Sequence, residues 1–378
     1  MNTETDRRQF LTVAAGVSAL SLLAACGGKT ATSGSQTAGG AGSPKKGLVH
    51  YANVSNAFYF YVVLQESIKR ASEAQGWQFG ASNANFVTAT ELNQIQTALL
   101  LKPIALTMDT TDSEGLVSGV QMANAQKVPV GLVDVPVAGG KVAITVTTDN
   151  RAAGVMAAQK IVDLLIVRYG SPRGVVLNAY GAQSALGWRL RKEGWDSVMK
   201  NYPRVTNVEL NGGGDLTKTY DATVTALAQY PNLDAAHAPS DYPAIGIVEA
   251  LKANGKLFPI GDPKHVILVT IDGDPVALDW IRGGLADGVM TQDPIAMGTI
   301  VIDKLATYSI RGKAVPLDAF SSDKYYWKSA PMTQESYGPH LIIPPYFVDK
   351  SNVEDPRNYG NVASKIWKIP YTMPPAKP

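Results

Sequence analysis

Short apolar runs of strand length recur along the chain, each followed by a stretch whose apolar residues return at helical spacing, and this alternation restricts the fold more than any other feature. Residues 48–54 lead into Phe60, Leu64, Ile68 and Ala71 before Gly76, one strand and one helix, with Ser55-Asn56 placed to cap that helix. The spacing predicts strands over 77–84, 104–108, 128–133 and 142–147, with helices through Leu92, Ile95 and Leu99 and through Leu116, Val120 and Ala123. A second series holds helices over 152–167, around Trp195, over 222–228 and over 245–253, and strands over 174–177, 205–210, 233–238, 266–271 and 289–291. Apolar strands alternating with helices imply parallel sheets covered on both faces. About ten such units exceed one compact domain, so the expected fold is α/β, two doubly wound parallel-sheet lobes.

Charge excludes one class of partner. The 34 Lys+Arg and 32 Asp+Glu leave a net +2 over 378 residues, too little to hold nucleic acid by phosphate neutralisation. One cysteine excludes an intramolecular disulfide framework and every multi-Cys metal pattern. That cysteine falls in an address segment. Arg7-Arg8 before Phe10-Leu11 looks like a twin-arginine export signal, and Leu23-Ala24-Ala25-Cys26 looks like a bacterial lipobox. Residues 1–25 are read as a signal peptide and Cys26 as the lipidated first mature residue. Residues 26–45, with almost no large apolar side chain, read as a flexible tether from membrane to domain. The alternative is a free or buried thiol in an exported soluble protein.

In parallel sheets, ligands sit beyond the carboxyl ends of the strands. There the chain carries Ser55, Asn56, Phe58 and Tyr59, then Asp109, Asp134 and Thr148-Asp149-Asn150. The second series adds Tyr180, Asp215, Ser240-Asp241, Asp272 and Gln292-Asp293. Carboxylates and amides accept hydrogen bonds from a polyhydroxylated ligand while aromatic faces pack its C–H surfaces. The plain alternative at each position is an Asp or Asn that caps the next helix.

The order Val54-Ser55-Asn56-Ala57-Phe58-Tyr59, Thr111-Asp112-Ser113, Val128-Pro129-Val130 with Asp134, Thr148-Asp149-Asn150, Arg191-Lys192-Glu193-Gly194-Trp195, Ile271-Asp272-Gly273 and Thr291-Gln292-Asp293 resembles the periplasmic sugar-binding proteins related to ribose-binding protein. The resemblance spans residues 46–353. It implies two lobes joined by three crossovers, closing on a sugar and presenting it to an ABC permease, with hinges near Thr148, near Gln292 and after Val315. It divides the chain into lobe 1 (46–147 plus 293–316), lobe 2 (148–292) and a third crossover with C-terminal wrap (317–378).

Carried over by position, Asn56, Phe58 and Tyr59 match the polar-aromatic loop after the first strand, with Phe58 or Tyr59 stacking on the ring. Asp134 and Asp272 match the carboxylates that accept from hydroxyls, Arg191 the arginine that donates to sugar oxygens, and Gln292 the hinge-side amide. Departures fall at Asp109, where ribose binders tend to have Asn, at Val135 for Arg, at Gly214 for a ring-closing aromatic and at Ser240 for Asn. Losing a cation and an aromatic while gaining a carboxylate should enlarge the pocket and make it more acidic, favouring a bigger, differently hydroxylated or cationic ligand.

No dinucleotide fingerprint, Walker loop, G-x-S-x-G elbow, H-E-x-x-H or calcium loop occurs, and the four histidines lack ligand spacing. Neither cofactor nor metal is expected, and the chain is not expected to be an enzyme. His237 reads as a hydrogen-bonded core residue. Trp188 and Trp195 read as packing residues on one side of their helix, and Tyr180 as the better pocket candidate. The expected protein is a monomeric solute-binding lipoprotein of an ABC importer for a sugar or polyol. A ligand sensor for a kinase or chemoreceptor and a secreted hydrolase or cofactor protein stay open. A repressor of the same fold is disfavoured, because residues 1–45 stand where its helix-turn-helix would be.

Overall fold

The computed structural model describes residues 47–372. The expected signal, Cys26 and the tether lie outside them. The first series runs β1 (Leu48–Asn53), α1 (Tyr59–Ala74), β2 (Gln78–Asn83), α2 (Thr88–Leu100), β3 (Ala105–Met108), α3 (Val117–Ala125), β4 (Val130–Val133) and β5 (Ile144–Thr148). Its strands are parallel in the order β2-β1-β3-β4-β5. The second runs α4 (Asn150–Tyr169), β6 (Gly174–Tyr180), α5 (Leu186–Met199), β7 (Val205–Asn211), α6 (Leu216–Gln229), β8 (Ala235–His237), α7 (Asp241–Ala253), β9 (Ile267–Asp272), α8 (Pro275–Arg282) and β10 (Gly288–Thr291). These strands are parallel in the order β7-β6-β8-β9-β10. Central strands such as β3, β4 and β9 are buried at every position, so they read as continuous apolar runs rather than alternations.

Beyond residue 291 the periodicity predicted no further element, and the structure adds several. α9 (Pro294–Thr307) returns to pack on α1. Its buried residues, among them Ala296, Met297, Ile300, Val301 and Ile302, cover most of its circumference, which erases the one-sided pattern that marks a surface helix. The tail holds β11 (Phe320–Ser321), β12 (Ser329–Ala330), β13 (Met332–Glu335), β14 (Gly338–Ile343) and β15 (Tyr346–Val348). β14 lies parallel to β5, β13 pairs outside it, and β15 runs antiparallel to β10, giving sheets of seven and six strands. The chain therefore passes between the lobes at Asp149, at Gln292-Asp293 and at Pro344-Pro345.

Helix entries separate capping aspartates from the others. Asp149, Asp215 and Asp293 accept from Ala152, Lys218 and Ala296 N–H at 2.9, 2.8 and 2.8 Å, each closing the first turn of its helix. Ser55-Asn56 do not cap α1. The helix starts at Tyr59 after an extended Phe58 with no side-chain cap, and Ser55 Oγ instead accepts from Ala57 N–H at 3.0 Å. In the second lobe α4 and α5 meet backbone to backbone. A Cβ at Gly154 would lie 1.9 Å from the Arg191 carbonyl oxygen, and one at Gly194 would lie 2.2 Å from that of Arg151. Only glycine permits this approach, and it seats Arg191 against the first residue of α4.

Candidate ligand cleft

The carboxyl ends of both sheets face one cleft. The first lobe contributes Phe58 from the loop before α1, Tyr61 from the first turn of α1, and Asp134 just after β4. The second contributes Trp188 and Arg191 from α5, Ser240 before α7, Asp272 at the end of β9 and Gln292 after β10. They enclose a void of about 20 Å³, with a neighbouring one of about 60 Å³ that Phe86 also lines. The lobes touch across it. The Phe58 ring stacks on Tyr242 of α7 with centroids 4.3 Å apart and lies 6.4 Å from Trp188, so the described state is a closed one.

Arg191 is the electrostatic centre. Its Nε donates to Asn150 Oδ1 at 2.8 Å, and its Nη1 donates to the Pro239 carbonyl and to Ser240 Oγ, the latter at 3.2 Å. The same Nη1 stands 3.5 Å from Asp272 Oδ1. Asp272 Oδ1 also accepts from Gln292 Nε2 at 2.6 Å, leaving Gln292 Oε1 buried with no partner. Burial pushes the Asp272 carboxyl up while Arg191 opposes the shift. Across the cleft, burial raises Asp134 to about 6, against the pull of Arg191, with Asp272 adding to the rise and a hydrogen bond from Tyr61 opposing it. Both carboxylates sit on backbone of positive φ, 57° at Asp134 and 132° at Asp272, a conformation that costs energy outside glycine and clusters at functional positions. A cation, two carboxylates, an idle amide oxygen and flanking aromatic faces suit a ligand rich in hydroxyls and C–H surface.

Six of the ten residues read from the sequence line the smaller void, namely Phe58, Asp134, Arg191, Ser240, Asp272 and Gln292. The other four stand elsewhere. Asn56 is exposed and accepts from Asn53 Nδ2 at 2.8 Å. Tyr59 turns to the C-terminal tail, where its hydroxyl donates to the Ile369 carbonyl at 3.0 Å and its ring meets Tyr371 edge-on at 5.1 Å. Asp109 is wholly buried beneath the cleft, its Oδ1 accepting from Thr110 and Val135 N–H at 2.8 and 3.1 Å. It shapes the turn that presents Asp134 and adds no charge to the void's wall. Tyr180 carries Lys192 Nζ 5.2 Å from its ring and lines neither void.

The sequence reading missed Tyr61, Phe86 and Tyr242, and it assigned Trp188 to packing. In the structure Trp188 is a cleft wall. Its Nε1 donates to Ser240 Oγ at 3.0 Å, and its indole covers Gly181 and Gly214, where a Cβ would come within 2.7 and 2.1 Å of it. Gly214 therefore opens no extra space of its own, because the Trp188 indole fills it. The signal was the pairing of a tryptophan in the first turn of α5 with glycines just after β6 and β7. Trp195 is a core residue, stacked on His237 at 4.6 Å, and His237 Nδ1 lies 2.8 Å from the Val269 carbonyl.

Two α/β lobes crossed three times by the chain, with charged groups from both converging on one void, define a hinged-cleft binding protein. The comparisons narrow this: a family model described as periplasmic binding protein domain matches residues 49–314, and the chain belongs to that family. It is 25% identical to the ribose import binding protein of Bacillus subtilis (strain 168) over 256 residues, 68% of this chain and 79% of the relative. It is 28% identical to the D-allose-binding periplasmic protein of Escherichia coli (strain K12) over 182 residues, 48% and 55% of the two chains. The fold matches an ABC transporter solute-binding protein of Bacillus halodurans C-125 with bound myo-inositol, at TM-score 0.68 and 20% identity over 85% of this chain and 99% of the other. A carbohydrate transporter solute-binding protein of Agrobacterium radiobacter in complex with D-arabinose gives TM-score 0.68 at 19% identity, over 85% and 100%. Among the described residues no helix is long and apolar enough to cross a membrane.

Proposed function

We propose that this chain is the solute-binding protein of an ABC importer and carries a sugar or sugar-like polyol between its lobes to a membrane permease. The observation that carries the reading is the Arg191, Asp272 and Gln292 cluster of one lobe facing Asp134 of the other. Hydroxyls held by both sides stabilise the closed state relative to the open one, and the permease reads that shape. The similarity to proteins named for ribose and D-allose supports the substrate class. In this reading the protein is a monomeric binder without catalysis. It works outside the cytoplasmic membrane, held by lipid on Cys26 once residues 1–25 are removed.

Native mass spectrometry on the mature protein, followed by a thermal-shift screen of sugars and polyols, tests it. A ligand at about 100 times its Kd stabilises the fold by roughly 2.7 kcal/mol. The expected result is a carbohydrate hit that Asp134→Ala and Asp272→Ala abolish. A retained non-sugar mass and no carbohydrate hit would overturn the substrate class. Cys26→Ser should release the protein from the membrane fraction, and a variant that stays bound removes the anchor.

A further inference from the structure

Asp134 borders the aromatic void on one side and a second pocket on the other. That pocket, of about 290 Å³, lies beside the chain crossings, between the first turn of α5 and the β13–β14 hairpin. Leu186, Leu190 and Ile342 give it apolar walls, while Asp149 and Glu335 bring carboxylates, and among the described residues no Lys or Arg lines it. Thr148 also lines it, is 3% exposed, and its Oγ1 has no hydrogen-bond partner. A buried hydroxyl left idle costs free energy that a ligand atom would recover.

The hairpin that closes the pocket is held firmly. Gly338 at φ 146° lets it press on the sheet, where a Cβ would fall 2.1 Å from the Val142 carbonyl oxygen. His340 lines the pocket, with its Nε2 2.7 Å from Thr147 Oγ1 on β5 and its Nδ1 3.2 Å from the Tyr337 hydroxyl, so both ring nitrogens are already engaged.

We infer that this hinge-side pocket is a second subsite, and that the ligand is a two-ring polyol, a disaccharide or glycosylated cyclitol. One ring lies against Arg191 and Asp272, and the other lies beyond Asp134 against Thr148 and Glu335. The inference rests on the polyol reading of the cleft and deepens it. Apolar walls take the C–H faces of the second ring, and its hydroxyls donate to Asp149, Glu335 and the Thr148 oxygen. The absence of a cation among the lining residues disfavours a phosphorylated or acidic second unit. Helix α5 serves both rings, with Trp188 and Arg191 turned to the first and Leu186 and Leu190 to the second.

Calorimetric titration of the mature protein with glucose, galactose and myo-inositol against maltose, lactose, melibiose and galactinol tests this. At least one two-ring probe should bind tenfold or more tighter than each of its component rings. Leu190→Trp, which fills the pocket, should bring that ratio below threefold while leaving the single-ring affinity intact. Thr148→Val should lower two-ring affinity about fivefold, and it decides the matter if Leu190→Trp does not melt cooperatively. Single rings that bind tighter than every two-ring probe, or a ratio that survives the filled pocket, overturn the subsite and leave the cleft standing. Binding of no probe overturns the subsite, whereas the polyol reading falls only if the wider sugar and polyol screen also gives no hit.

Discussion

The indole of Trp188 occupies the space in which any side chain at residue 214 would begin, 2.1 Å from where a Cβ would stand on Gly214. A wall contributed by α5 thus depends on a bare backbone after β7. Gly214 also holds φ 75°, which an L side chain resists. Gly214→Ala is expected to cost about 1–3 kcal/mol through overpacking and to push the indole into the cleft. Trp188→Ala should keep most of the stability and weaken ligand binding about tenfold, or about 1.4 kcal/mol. Thermal melts and titration calorimetry on the two variants separate these outcomes.

Arg191 and Asp272 are 4% and 3% exposed and stand 3.5 Å apart. Removing one member of a buried pair leaves a charge without compensation, at a cost of about 3–5 kcal/mol. Asp134 lies near the same guanidinium and relieves part of it, so Asp272→Ala should fall at the lower end of that range in a urea melt. Ligand should no longer raise its Tm. Asp272→Asn keeps an acceptor for Gln292 and should lose less stability than Asp272→Ala.

Glu91 of α2 is wholly buried, and burial raises its carboxyl to about 7 although Thr111 N–H donates to Oε2 at 3.0 Å. Its Oε1 has no partner. A carboxyl raised on folding takes up a proton more readily in the native state than in the unfolded chain. Its stabilising contribution is complete below the unfolded value of 4.5 and is lost as pH rises through about 7. Asp274, raised to about 8 mainly by burial, acts with the same sign. The ligand-free Tm should therefore fall between pH 5 and pH 8 in a buffer series, and Glu91→Gln should flatten that slope. A Glu91→Gln profile parallel to that of the parent would refute the assignment.

The Phe58 and Tyr242 rings are stacked contacts between lobes. Tyr242→Ala removes one and should shift the ligand-free protein toward the open form, with a larger radius of gyration by small-angle scattering. Saturating ligand should restore the parent value.

Both sheets were legible because their inner strands are short, largely apolar runs and several of their helices bury one face. The tail was not. β14 carries Pro339 and His340, and β15 is three residues long, so neither shows a strand period, and their places come from pairing with β5 and β10. In the cleft, Arg191 and Asp272 were readable by position in a motif. Tyr61 was hidden by its neighbour Phe60, which marked the same helix turn as core, and Trp188 by its seven-residue spacing from a true core tryptophan. Asp109 and Asp134 both follow strands, and only the turn at Val135 decides which carboxylate faces the ligand.

Pro344 and Pro345 alone join Ile343, last in one sheet, to Tyr346, first in the other. Proline rings fix φ near −65°, so this link resists the twist that Asp149 and Gln292-Asp293 allow. A stiff link on this side leaves the other two crossings to take up more of any change in angle between the lobes. The pocket beside Ile342 adjoins that link, so the stiffer the link, the less a change in angle between the lobes disturbs the pocket's walls.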